Sequence, residues 1–270
     1  MRTFVRLRIE YAGNMKERLN IPGPSGKLAA TLCRPELLPG RKCPLVILMH
    51  GFMANQRMEP LKGIARVLEQ AGIATLRFDF DGHGRSDGRF CDMTVRTELA
   101  DAQAVYAYAA GLDFVGKIAF LGHSQGGVVA GMTAAELGAD KVACLVQLAP
   151  AAVLRDDAIA GVLMGKHYDP ADPPACLRVF FHKVGRNYFT VAQTLPIFET
   201  SAAYTGPVCL VHGKEDKIVP FSYSQRYHEV YRNSELHLLD GENHILSRRR
   251  KEVTALSTDF LIRHLLNPDE

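Results

Sequence analysis

The 270-residue chain has no C-x-x-C spacing, no apolar run of membrane-spanning length, no internal repeat or low-complexity tract, and little net charge. Each absence narrows the function. The six cysteines (Cys33, Cys43, Cys91, Cys144, Cys176, Cys209) are scattered. Several sit inside apolar runs such as Ala143-Cys144-Leu145-Val146, which suits small buried thiols rather than a disulfide framework or a zinc site. A dispersed net charge of +3 leaves no electrostatic footprint for nucleic acid. The one basic run, Arg248-Arg249-Arg250-Lys251, opens the last helical segment and reads as a solvated face. Residues 1–10 alternate apolar with charged side chains, unlike the unbroken apolar stretch of a signal peptide. The expectation is a cytoplasmic chain with no membrane or nucleic-acid partner, in which a homodimer is left open.

What is present is enough apolar material, 47% of the residues, for one sizeable core. Two polar-alternating strands are expected first, at residues 3–11 and 27–33, around a turn at Ile21-Pro22-Gly23-Pro24. Short continuous apolar runs follow at residues 45–49, 74–78, 118–121, 143–148 and 208–211, as strands buried on both faces of a parallel sheet require. Between them lie helical stripes, one on Leu61, Ile64, Ala65 and Leu68, another on Leu99, Ala102, Tyr106 and Ala109. The pattern predicts an α/β fold with a mostly parallel central sheet flanked by helices. The alternation breaks at residues 151–200, which read as a cap inserted into a core of residues 1–150 and 201–270.

The most informative stretch is Gly122-His123-Ser124-Gln125-Gly126-Gly127, placed between an apolar strand and a small-residue helix at 128–137. Strand, sharp turn and helix around G-x-S-x-G form the nucleophile elbow of α/β-hydrolases. The glycines leave room where a side chain would strike the neighbouring strand and helix. The helix N-terminus then faces a developing oxyanion.

Serine needs a base, and the base needs an orienting carboxylate. In chain order these follow as acid and then histidine. After the run 208–211 comes His212-Gly213-Lys214-Glu215-Asp216, and after a strand at 236–239 comes Gly241-Glu242-Asn243-His244. The spacing of Asp216 to Val219-Pro220 favours it, with Glu215 as the alternative. Of the ten histidines, His244 has the loop position and the chain order; His228 and His264 read as helix-surface residues and His237 as a strand residue. The oxyanion donors are expected to be the main-chain N–H groups of Gln125 and of Phe52 in His50-Gly51-Phe52. The Asp/His-rich segment Asp79-Phe80-Asp81-Gly82-His83-Gly84-Arg85-Ser86-Asp87-Gly88 reads as a structural loop of hydrogen-bonded turns rather than a metal site.

The motifs His50-Gly51-Phe52, Asp81-Gly82-His83-Gly84-Arg85-Ser86-Asp87-Gly88, Gly122-His123-Ser124-Gln125-Gly126-Gly127 and His212-Gly213-Lys214-Glu215-Asp216, with the stretch Asn187-Tyr188-Phe189-Thr190-Val191-Ala192-Gln193-Thr194, resemble the bacterial cinnamoyl (feruloyl) esterases of the α/β-hydrolase fold, through essentially the whole chain. The resemblance implies Ser124 as nucleophile, His244 as base, Asp216 as its orienter, and Phe52 and Gln125 as the oxyanion hole. It further implies a phenolic ester substrate whose ring hydroxyl meets Asp157 and Tyr188 of the cap, with Asp156 the neighbouring alternative. No metal or other cofactor is implied. Val162-Leu163-Met164 is apolar where some relatives carry a polar residue, which leaves the preferred ring substitution open. Two other functions compete: cleavage of short aliphatic or glyceride esters by the same machinery, and a non-catalytic scaffold that binds a small molecule.

Overall fold

Residues 13–266 are described by the structure, a computed structural model. Strands β1 (Asn14–Gly23) and β2 (Gly26–Pro35) form an antiparallel hairpin. Then follow β3 (Cys43–Met49), α1 (Leu61–Gln70), β4 (Ala74–Phe78), α2 (Val95–Ala110), β5 (Val115–His123), α3 (Gln125–Leu137) and β6 (Leu145–Leu148). The C-terminal part returns to the same sheet with β11 (Val208–Gly213), α7 (Ser222–Val230), β12 (Ser234–Leu239) and α8 (Arg250–Leu266). Between β6 and β11 lie α4 (Val153–Ala160), the two-residue strands β7 (Val162–Leu163) and β8 (Lys166–His167), the hairpin of β9 (Cys176–Val179) and β10 (His182–Gly185), and helices α5 (Arg186–Gln193) and α6 (Ile197–Ser201).

The eight-stranded sheet has the order β1-β2-β4-β3-β5-β6-β11-β12. From β4 to β12 neighbouring strands are parallel, so all their C-terminal ends lie along one edge. The continuous apolar runs are explained by burial on both faces. In β3, Leu45, Ile47 and Met49 join the core beneath α2 and α3, whereas Val46 and Leu48 join the core beneath α1 and α8. The residue stripes of α1 and α2 face these two cores, apart from half-buried Tyr106 at the edge of its core.

The expected strand at residues 3–11 lies outside the described residues. The first described strand is instead Asn14–Gly23, which the sequence reading left unassigned. It escapes a hydrophobicity criterion because it is an edge strand in which Ile21 alone is buried. The Pro/Gly turn lies at its end and closes the hairpin onto β2.

The excursion between β6 and β11 adds no strand to the main sheet. Its own apolar cluster joins Leu163, Val179, Val184, Tyr188 and Phe189 to Met93, with Phe52 and Phe90 packed alongside. It is therefore anchored on the loops that follow β3 and β4. The cysteines are all free; Cys33, Cys43, Cys144 and Cys209 are buried, as the apolar runs suggested, but Cys176 is exposed on β9.

Close approach at the turn after β5 tests this packing. A Cβ added at Gly126 would lie 2.5 Å from the Met49 carbonyl oxygen and closer still to that of His50, all backbone that cannot swing aside. We expect Gly126→Ala to destabilise the protein by about 1–3 kcal/mol through overpacking, lowering the melting temperature by several degrees. Gly116→Ala, whose nearest new neighbour would be the Cys43 oxygen at 3.6 Å, should leave calorimetric melting nearly unchanged.

Candidate active site

Ser124 occupies the one residue between β5 and α3. Its backbone is held at φ 56° and ψ −123°, a conformation unfavourable for a residue with a side chain and costing on the order of 1–3 kcal/mol. Surrounding bonds enforce it: the Ser124 N–H donates to the Leu148 carbonyl at 2.9 Å, and its carbonyl accepts from Gly127 at 2.9 Å and Ala151 at 3.1 Å. Gly122 and Gly126 face each other across this turn so closely that a Cβ on Gly122 would strike the Gly126 carbonyl. Gly51 approaches from the loop after β3, where a Cβ would lie 2.9 Å from that of Ser124.

Three strand-end loops bring side chains to this point. The Ser124 hydroxyl lies 2.9 Å from His244 Nε2, and His244 Nδ1 lies 2.7 Å from Asp216 Oδ2. With Nδ1 protonated, His244 donates to the carboxylate and accepts a hydrogen bond from the serine hydroxyl through Nε2. The alternative carboxylate is separated by the same geometry: Glu215 is exposed, whereas the Asp216 side chain is fully buried. Burial alone would raise the Asp216 carboxyl. Hydrogen bonds from His212 and His244, the charge of His244 and the Val219 N–H outweigh it and hold the group well below the usual carboxylate range.

Two supporting histidines were not singled out in the sequence. His212, at the end of β11, places Nε2 3.1 Å from Asp216 Oδ2 and 3.0 Å from the Val219 carbonyl, while Nδ1 faces the Ser224 hydroxyl at 2.7 Å. His123 donates from Nε2 to the His244 carbonyl at 2.9 Å and so fixes the backbone of the base. Burial, then the neighbouring His244, pushes His123 down to about 4, keeping it neutral. Nothing in a one-dimensional pattern distinguishes either from an ordinary strand residue.

Phe52 and Gln125 line the same cavity as Ser124, and among the described residues neither main-chain N–H donates a hydrogen bond. The Gln125 side chain is engaged by buried partners on both of its polar atoms. Its Nε2 donates to Glu98 Oε2 at 2.8 Å, and its Oε1 accepts the Tyr188 hydroxyl at 2.8 Å. A buried chain therefore runs from α5 through the first residue of α3 to α2. The Tyr188 hydroxyl is engaged by Gln125, so the residue offers its ring, packed 5.3 Å from that of Phe52, rather than a free hydroxyl to the cavity. Glu98 did carry a readable signal: an acid on the buried face of α2, in line with Val95, Leu99 and Ala102.

Two cavities meet at Ser124. The larger, about 460 Å³, is lined by Gln125, Leu154, Asp157, Leu163, Met164 and Tyr188. The smaller, about 190 Å³, lies on the side of His244. Asp157 accepts no hydrogen bond among the described residues, and burial followed by the nearby Asp156 raises its carboxyl. Asp156 instead accepts the Tyr223 hydroxyl at 2.7 Å and lines a separate groove, which separates the two candidates.

Asp79 to Gly88 is a hydrogen-bonded loop, as expected. The Asp79 carboxylate accepts from the Gln56 N–H at 2.7 Å and the Arg85 N–H at 3.0 Å, and Asp87 accepts from the Lys27 N–H at 2.9 Å. Ligand atoms of Cys209, Glu235 and His237 do come within 4.8 Å of one another. They lie toward the opposite end of the sheet from Ser124, and Glu235 is already paired with Arg263 and His237. No described helix is long and apolar enough to cross a membrane. His237 lies on β12, and His228 and His264 lie on α7 and α8.

A family described as serine aminopeptidase, S33, matches residues 40–168, a span that includes Ser124 but neither Asp216 nor His244. Among curated proteins, human Protein ABHD12B is 25% identical over 216 residues, covering 75% of this chain and 57% of its own length. Mouse palmitoyl-protein thioesterase ABHD10, mitochondrial, is 25% identical over 198 residues, covering 68% and 62%. The chain thus spans about three fifths of these relatives. Among solved structures, Est1E from Butyrivibrio proteoclasticus, in a structure with ferulic acid bound, superposes with a TM-score of 0.88 at 36% identity, covering 92% of this chain and all of its own.

Burial, opposed by the hydrogen bond from Gln125 and reinforced by the charge of Asp101, leaves Glu98 pushed up to about 8. Between the ordinary value of 4.5 and that value, the folded protein holds a proton that the unfolded chain releases. This contribution to stability is full below the unfolded value and is lost as pH rises through the folded one. We expect wild type to lose stability relative to Glu98→Gln between about pH 5 and about pH 9, read as diverging melting temperatures. Parallel curves would mean that Glu98 is ionised throughout.

Proposed function

Because the chain belongs to the α/β-hydrolase family of the bacterial cinnamoyl (feruloyl) esterases, we propose that it is a serine carboxylesterase cleaving hydroxycinnamate esters through an acyl-enzyme on Ser124. The observation that carries the proposal is the unbroken hydrogen-bonded line from Ser124 Oγ through His244 to buried Asp216, opening on a cavity that contains an unpartnered carboxylate at Asp157.

In this mechanism His244 Nε2 takes the proton of Ser124 as Oγ attacks the ester carbonyl carbon. The carbonyl oxygen becomes an oxyanion and accepts from the Phe52 and Gln125 N–H groups, each worth on the order of 3 kcal/mol in the transition state. His244 returns its proton to the leaving alkoxide as the carbon–oxygen bond breaks. A water, deprotonated by the same nitrogen, then attacks the acyl-enzyme and releases the acid and free Ser124. Asp216 holds Nδ1–H toward itself throughout and stabilises the imidazolium. His212 and His123 hold Asp216 and the His244 backbone in place.

The acyl group is assigned to the larger cavity, beneath residues 151–200 acting as a cap. A planar phenolic acid needs an apolar slot with a polar group at its far end. Leu154, Leu163, Met164 and the Tyr188 ring supply the slot, and Asp157 supplies the acceptor. The apolar character of Leu163 and Met164 also favours a second reading, an aliphatic acyl group.

A burst-phase assay with ethyl ferulate and ethyl butyrate separates these readings. We expect Ser124-dependent preference for the ferulate, with Ser124→Ala lowering kcat by at least about 10⁴-fold while circular dichroism stays native. Preference for the butyrate would keep the mechanism and discard the aromatic acyl assignment; full activity in pure Ser124→Ala protein would remove the nucleophile. Asp157→Ala should lower kcat/KM for ferulate about tenfold, the size of a lost hydrogen bond to a charged acceptor, and leave unhydroxylated cinnamate unchanged. Equal losses on both esters would place Asp157 outside ring recognition.

A further inference from the structure

We propose that the smaller cavity at Ser124 binds the alcohol half of the ester and selects a hydrophobic alcohol, such as a short alkyl or aryl alcohol, over a sugar. The proposal rests on Ser124 acting as an ester nucleophile, and it adds a leaving-group specificity that the acyl assignment does not contain.

Geometry decides which cavity takes which half. In the tetrahedral intermediate the oxyanion points to the Phe52 and Gln125 N–H groups, and the leaving oxygen must come within hydrogen-bond reach of His244 Nε2 to be protonated. The acyl substituent takes the remaining direction. His244 and its neighbour Ile245 line the smaller cavity and not the larger, whereas Gln125, Asp157 and Tyr188 line the larger and not the smaller. The alcohol therefore leaves on the side of the smaller cavity.

Its walls are apolar: Met53, Met58, Leu61, Met164, Ile218 and Ile245. Four of these, Met58, Met164, Ile218 and Ile245, are among the nine large hydrophobic side chains exposed among the described residues. Such clustering of exposed apolar groups at one opening marks a binding surface rather than chance exposure. Methionine adapts to alcohols of different shape because its unbranched side chain repacks readily.

Most polar side-chain atoms of the cavity are already engaged. His50 places Nδ1 2.9 Å from the Gly51 carbonyl and accepts the Phe80 N–H on Nε2 at 3.1 Å. His123 donates to the His244 carbonyl, Asn55 Oδ1 accepts the Arg57 N–H at 3.0 Å, and Glu59 Oε2 accepts the Gly63 N–H at 2.9 Å. A sugar would bring several hydroxyl groups and find the Asn55 amide nitrogen and one Glu59 oxygen to meet them. Hydroxyls left without partners on an apolar wall oppose binding.

The test holds the acyl group constant and varies the alcohol. kcat/KM is measured for methyl, propyl and butyl ferulate and for the arabinose ester of ferulic acid, with wild type and Met58→Gln. The same alkyl series is run on butyrate. Three added methylenes, from partly to fully buried in an apolar cavity, should raise kcat/KM about ten- to fiftyfold from methyl to butyl, with the arabinose ester at or below methyl. Met58→Gln, at a half-exposed position, should cut the butyl advantage over methyl about threefold. Equal values along the alkyl series, or a preference for the arabinose ester, would overturn the proposal. So would Met58→Gln shifting the preference between ferulate and butyrate at a fixed methyl group, since that would place the acyl half in this cavity. If butyrates turn over and ferulates do not, the aromatic acyl reading fails, and the alkyl series on butyrate decides the alcohol cavity by the same criterion.

Discussion

The strained turn at Ser124 is the constraint on which the rest of the site depends. A non-glycine residue at φ 56° and ψ −123° persists only if its surroundings leave no alternative. Here β5 ends one residue before it and α3 begins one residue after it. The crowding of Gly122 against Gly126, and of Gly126 against the end of β3, leaves the backbone nowhere to relax. The turn lifts the hydroxyl clear of the sheet and aims the start of α3 at the same point. The Ser124 hydroxyl and the Gln125 N–H are thereby placed by one piece of backbone.

Everything else reaches that point from neighbouring strands. Because β3, β5, β6, β11 and β12 run parallel, Gly51 and Phe52, Ser124, Asp216 and His244 all leave the sheet at one edge. The strand order makes this possible, since residues 120 positions apart in the chain meet as Ser124 and His244. A second layer then holds the first: His212 on Asp216, His123 on the His244 backbone, and Glu98 with Tyr188 on Gln125. That last chain also ties the excursion after β6 to the helix that begins at Gln125.

Much of this was legible in the sequence, for identifiable reasons. Strands buried on both faces leave continuous apolar runs, and a turn that excludes side chains leaves glycines, so the central sheet and the elbow could be read directly. The positions of Asp216 and His244 followed from chain order and loop placement. The edge strand Asn14–Gly23 was not legible, because a strand with one buried side chain has no hydrophobic signature. His123 was missed because its role depends on a contact across 121 positions, and His212 because only the turn after β11 shows that Asp216, four residues on, folds back onto its ring. Tyr188 shows a subtler limit: similarity placed it at the cavity, but the engagement of its hydroxyl by Gln125 needed three dimensions. Glu98 could have been found, since an acid on the apolar stripe of α2 demands an explanation.

The central claim is that Ser124 carries a covalent acyl group during turnover. Quenching the enzyme in acid within the first turnover on ethyl ferulate, followed by peptide mass mapping, addresses it directly. The account predicts a single feruloyl adduct on the peptide containing Ser124, formed before steady-state release of the acid and absent from Ser124→Ala. Turnover of the ester with no adduct, or with the adduct on another residue, would contradict it.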